Sequence, residues 1–71
     1  MAKDYAIVDG KMIRHQRWSL GVTQGELARK VGVSLKTIAG YEGSSTAISL
    51  EILEKIAEAQ GVNIEYYLHA T

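Results

Sequence analysis

Five glycines, Gly10, Gly21, Gly32, Gly43 and Gly61, punctuate the chain, and the first four stand eleven residues apart. Glycine often ends a helix because it enters the left-handed region at no steric cost. The apolar residues between these glycines mostly recur at helical spacing, and there is no proline, low-complexity tract or internal repeat. Such a chain is confined to short helices joined by tight turns.

Each segment carries its own boundary signals. Asp9 is a fair N-cap for a first helix running to about Ser19, with Ile13, Arg17 and Leu20 on one face. Trp18 lies one turn from Arg14 and reads as a partly buried packing residue able to stack on it. The run "TQGE" is a capping box, in which Thr23 accepts from the amide of Glu26 and Glu26 reaches back to that of Thr23. Leu27, Ala28 and Val31 form the apolar face of this second helix, and Gly32 followed by Val33 suits a left-handed cap. Ser34 caps a third helix with Ile38 and Tyr41 facing inward. A fourth helix is expected from about Ser49 to Gln60, with Leu50, Leu53, Ile56 and Ala57 on its core face and Gly61 and Val62 stopping it. Residues 63–68, "NIEYYL", are either a short helix capped by Asn63 or an extended segment. The N-terminal "YAIV" can form a short strand pairing with the C-terminal end. The fold class expected is all-α, a compact five-helix bundle with room for one short terminal strand. Residues 1–9 read as an N-terminal arm and 10–71 as the helical domain.

Composition narrows the function. The 71 residues make one domain near the lower limit for a self-sufficient core. There is no cysteine, hence no disulfide and no thiolate metal site, and His15 and His69 lie far apart and read as surface residues. No metal or cofactor is expected. No apolar run approaches a membrane span and the start lacks a signal-peptide pattern, so the chain is read as soluble and cytoplasmic. Formal net charge is zero, which argues against indiscriminate polyanion binding. The charge is divided, however. Residues 1–40 carry seven Lys and Arg against three Asp and Glu, and residues 41–71 carry one against five. Any footprint for a polyanion belongs to the first half.

Two short helices joined through Gly32, with small Ala28 where they approach and Ile38 between them, form a helix-turn-helix signature. With that signature in place, "RHQRWSLGVTQGELARKVGVSLKTIAGYEGS…LEILEKIAEAQGVNIEYYL" resembles the phage-repressor and Cro type of helix-turn-helix domain over about residues 10–68. The resemblance implies a five-helix bundle that binds operator DNA as a dimer with the third helix in the major groove. It also implies that Arg17 and Glu42 form a structural ion pair locking the first helix to the reading unit. Thr23 and Gln24 fall where the second helix meets a phosphate through its amides and dipole. The base-reading positions become Leu35, Lys36, Ala39 and Gly40, beside Ser34 and Thr37.

Of these Lys36 can donate to guanine O6 and N7, while Leu35 can pack on a thymine methyl, Thr37 adds a hydroxyl for a base or phosphate, and Ala39 and Gly40 let the helix lie deep. "GSSTAIS", residues 43–49, reads as a loop without a basic residue, leaving the amides of Gly43 and Ser44 and the nearby hydroxyls for phosphate. Lys11, Arg14, Arg29 and Lys30 can supply part of the missing field or be a solvated face. The apolar Val62, Ile64, Tyr66, Tyr67 and Leu68 exceed what one small core needs and read as a two-fold interface, with closure of the monomer's own core as the alternative. The leading expectation is a repressor-type, sequence-specific regulator binding double-stranded operator DNA as a homodimer, with control through a regulatory protein partner as one route. The runner-up is a protein-interaction module, an antirepressor or antitoxin-like partner, with Leu35, Ala39 and Gly40 as its docking face. An enzyme is disfavoured, because no nucleophile–base pair, metal cluster or phosphate-cradling glycine loop is legible.

Overall fold

The computed structural model describes residues 4–68. The elements run β1 (Tyr5–Asp9), α1 (Gly10–Leu20), α2 (Gln24–Val31), α3 (Leu35–Glu42), β2 (Ser45–Ser49), α4 (Leu50–Ala59) and α5 (Glu65–Leu68). The helix ends follow local chemistry. The Asp9 carboxylate accepts from the Lys11 amide at 3.1 Å and starts α1. Thr23 and Glu26 close the capping box of α2, at 3.1 Å and 2.9 Å. Gly32, at φ 89°, turns α2 into α3, and the amides of Gly32 and Val33 both donate to the Ala28 carbonyl. Ser34 and Ser49 cap α3 and α4 through their hydroxyls. Asn63 Oδ1 accepts from the Glu65 amide at 3.0 Å, so "NIEYYL" resolves into the short helix α5.

The core gathers Val8, Ile13, Leu27, Ala28, Val31, Ile38, Ile48, Leu53, Ile56, Ala57 and Tyr67. Burying each large aliphatic side chain contributes about 1.5–3 kcal/mol. Gln60 is buried among them. Its side-chain nitrogen donates to the Ile13 carbonyl at 3.3 Å, and its oxygen accepts from the Tyr67 hydroxyl, tying α1, α4 and α5 together. Burial raises the Tyr67 phenol well above its usual range, helped by Tyr66 and the Glu42 charge.

Several sequence expectations change. The N-terminal strand exists, but it pairs antiparallel with residues 45–49, Tyr5 opposite Ser49 and Asp9 opposite Ser45. Among the described residues the C-terminal end has no strand to offer, because Asn63 caps a helix there. The supposed loop 43–49 therefore mostly becomes β2, with Ile48 buried and Thr46 half-buried. Only Gly43 and Ser44 remain as a turn. Leu20 and Leu50 are exposed rather than in the core, each sitting at a helix end beyond the packed neighbours. Trp18 is 59% exposed, so it is a surface residue and not a partly buried one. Tyr67, assigned to a two-fold interface, is wholly buried and unavailable to a partner. Residues 1–3 of the expected arm, and His69, lie outside the described residues.

Gly10 has a role that spacing alone does not suggest. A Cβ there would run into the Tyr41 carbonyl and lie 2.7 Å from the Ser44 carbonyl. The start of α1 thus passes backbone to backbone against the end of α3, and Gly10 donates its amide to Ser44 at 3.2 Å.

Candidate nucleic-acid interface

The α2–α3 pair presents one exposed face. Ile38 and Glu42 of α3 turn inward, while Leu35, Lys36, Ala39 and Gly40 are exposed on the opposite side. Leu35, at 53% exposure, is the one large apolar side chain on that face. Thr37 is half-buried, its amide donating to Ser34 Oγ at 3.1 Å and its hydroxyl 2.9 Å from the Ser34 hydroxyl. A Cβ on Gly40 would meet nothing within 4 Å. The fold itself therefore gives no reason for glycine at this helical position.

A buried charge cluster holds this face in place. Arg17 Nε and Nη2 donate to the two Glu42 carboxylate oxygens at 2.7 Å and 2.8 Å, a bidentate pair. Arg17 Nη1 donates to the Val22 carbonyl at 2.9 Å, and Gln24 Nε2 donates to Glu42 Oε1 at 3.1 Å. Arg14 Nη2 adds a bond to the Glu42 carbonyl at 2.9 Å. The end of α1, the start of α2 and the end of α3 therefore meet at one carboxylate. Burial pulls the Glu42 carboxyl upward, but the bonds from Arg17 and Gln24 and the charges of Arg17 and Arg14 outweigh it and leave it below the usual range. The Gln24 side chain is taken up by Glu42, which leaves the expected phosphate contact at Gln24 to its backbone amide.

Beside this cluster, Trp18, Gly21, Thr23, Gln24, Gly25 and Leu35 border a shallow hollow. Among the described residues no acceptor meets the amides of Gln24 and Gly25. The Arg14 guanidinium lies 5.6 Å from the Trp18 ring centroid and the His15 ring 5.8 Å away. Arg14, His15 and Trp18 make an aromatic and cationic edge to the face. The i, i+4 spacing of Arg14 and Trp18 carries that signal in the sequence; the hollow between helix ends does not show there. Lys11, Arg29 and Lys30 are exposed, the last two on the final turn of α2. No Lys or Arg stands between Gly43 and Ser49. Val62 and Ile64 pack against the core, while Tyr66 and Leu68 stay exposed. Among the described residues no group of His, Asp and Glu is arranged to hold a metal ion, and no helix is long and apolar enough to cross a membrane.

Two short helices in this arrangement, the second with its outward side open and its inward side locked to α1, define a helix-turn-helix domain. The chain belongs to the Cro/C1-type helix-turn-helix family, whose model matches residues 13–67. It is 40% identical over 58 residues to an uncharacterized transcriptional regulator in the ATPase CF(0) region of Rhodospirillum rubrum, a match covering 82% of this chain. The matched region is 54% of that relative's length, so the chain spans about half of it. It is similar to SinR, a master regulator for biofilm formation, in complex with DNA, at 30% identity and a TM-score of 0.77, covering 83% of this chain and 95% of that one. It is also similar to the SinR–SinI protein complex, at 29% identity and a TM-score of 0.79, covering 86% of this chain and 60% of that one.

Proposed function

We propose that this chain is a sequence-specific DNA-binding transcriptional regulator of repressor type, seated on double-stranded operator DNA as a homodimer with α3 in the major groove. The observation that carries this reading is the exposed face of α3 held rigidly by the Arg17–Glu42–Gln24 cluster. Supporting it is the likeness to a regulator solved in complex with DNA.

Lys36 donates to guanine O6 and N7, and Leu35 packs on a thymine methyl. Ala39 and the uncrowded Gly40 bring the α3 backbone close to the bases. Ser34 and Thr37, which share a hydrogen bond, flank the base contacts. The amides of Gln24 and Gly25 meet one phosphate beside Thr23, and that of Ser44 meets another, the Gly43 amide being taken by the Gly40 carbonyl at 3.3 Å. Trp18 lines the first of these, with the Arg14 guanidinium 5.6 Å from its ring centroid. Val62, Ile64, Tyr66 and Leu68 contribute to the two-fold contact, Tyr66 and Leu68 directly. Repression is steric, and control comes through protomer concentration or a regulatory protein. The exposed Leu35, Ala39 and Gly40 favour a second reading, an apolar docking face for another protein.

The test is selection of binding sites from a random duplex pool at low and moderate salt, with Lys36→Ala and Gly40→Ala beside wild type. The expected outcome is a two-fold symmetric motif with half-sites about one DNA turn apart, lost in Lys36→Ala. Gly40→Ala should be more stable by up to about 1 kcal/mol yet bind the motif more weakly. An empty selection at both salts overturns the reading in favour of the docking face.

A further inference from the structure

β1 and β2 form a two-stranded sheet, with no third strand among the described residues. Gly10 donates to the Ser44 carbonyl at 3.2 Å and Leu50 to the Asp4 carbonyl at 2.6 Å. These bonds flank the two ends of a register that runs without a break from Tyr5↔Ser49 to Asp9↔Ser45. In an antiparallel ladder, hydrogen-bonded pairs alternate with non-bonded ones. The bonded pairs between those ends are therefore Ala6↔Ile48 and Val8↔Thr46, and the N–H and C=O of Ile7 point away from β2. The Ile7 side chain lies on the outer face, and the residue is 61% exposed. Neither strand carries a lysine, a proline or a bulge, three of the devices that blunt an exposed edge in monomeric proteins, although both strands are short and β1 ends on Asp9. α5 packs beside β1, and its exposed Tyr66 and Leu68 extend the apolar surface.

We propose that the outer edge of β1 pairs antiparallel with β1 of a second copy about a two-fold axis at Ile7. The assembly is then held by a four-stranded sheet, β2–β1–β1–β2, flanked by Tyr66 and Leu68 of both copies. This rests on the dimer reading above and names its contact. The strand is self-complementary in this register. Ile7 meets Ile7, the pair exchanging two main-chain hydrogen bonds, and Tyr5 stands opposite Asp9. No like charges face each other across "YAIVD". A two-fold contact centred on the outer side of α4 would instead set Glu51, Glu54 and Glu58 against their own copies, with only Lys55 to offset them. A foreign strand would find the same short edge but only one set of α5 side chains, whereas a second copy brings two.

The experiment is sedimentation equilibrium of the 71-residue chain together with amide hydrogen exchange read by NMR over a range of protein concentrations. Wild type should dimerise, and the Ile7 amide should become protected as the dimer forms. Ile7→Lys should keep its far-UV circular dichroism and raise the dimer dissociation constant about tenfold or more, the effect of losing one well-buried aliphatic contact. A wild-type dimer whose Ile7 amide exchanges at the monomer rate overturns the sheet pairing and leaves the dimer standing. A chain that stays monomeric throughout, with or without selected duplex, overturns the dimer reading itself. If Ile7→Lys fails to fold, the exchange measurement on wild type decides alone.

Discussion

Glu42 is the residue on which most of the candidate interface depends, because it accepts from two other elements while almost wholly buried. Removing one partner of such a pair strands a buried charge and costs about 3–5 kcal/mol. A chain of this length is expected to be stable by roughly 4–10 kcal/mol in all. Arg17→Met should therefore lower the urea midpoint severely, while the double variant Arg17→Met with Glu42→Leu should recover much of the loss, since it leaves no unpaired charge. The pH dependence follows from the sign of the shift. The Glu42 carboxyl is held below the usual range in the folded state, so its stabilisation is present above the unfolded value and fades as pH falls through the folded one. Urea midpoints taken from neutral pH downward should show an acid limb that is flatter in the double variant. An unchanged limb would assign the acid sensitivity to other carboxylates. At this scale the Arg17–Glu42 pair was legible only through a family resemblance. The third partner, Gln24, was not, because a side chain at a helix start can turn outward to solvent or inward to a carboxylate eighteen positions away.

Among the elements, α2 shows how far local chemistry reaches. Its start needs only residues 23–26, and the capping box seen in the sequence is the one formed. The backbone bond from Thr23 holds the Glu26 carboxyl below its usual range. Thr23→Ala should cost about 0.5–2 kcal/mol, lowering the melting temperature by roughly 4–8 °C per kcal/mol for a domain of this size. Differential scanning calorimetry checks this, and a loss within error would mean that tertiary packing alone holds the α2 start. β2 is the contrasting case. "STAIS" has too little β-branched or aromatic content to announce a strand, and it becomes one because β1 lies alongside it, about forty residues away in sequence.

For the whole molecule, the division of charge follows the elements. α1 and α2 carry Lys11, Arg14, Arg29 and Lys30, α3 carries Lys36, and α4 carries Glu51, Glu54 and Glu58 with Lys55. With Arg17 committed to Glu42 and no basic residue from Gly43 to Ser49, Arg14 and Lys36 remain as cations for this face, about two cationic contacts with DNA per protomer. A dimer should then show a slope of log affinity against log salt of about −3 to −4. Fluorescence anisotropy titrations on a selected duplex measure it, and a slope twice as steep would mean that the wider basic surface of α1 and α2 engages the backbone. What the sequence determined by itself was the first four helices and their approximate limits, because caps and glycine stops act within about four residues, while "NIEYYL" stayed open between a helix and an extended segment. The tertiary structure alone decided the partner of β1, the burial of Gln60 and Tyr67, the close passage at Gly10 and the exposure of Trp18, because each depends on segments that meet only after the chain has folded back on itself.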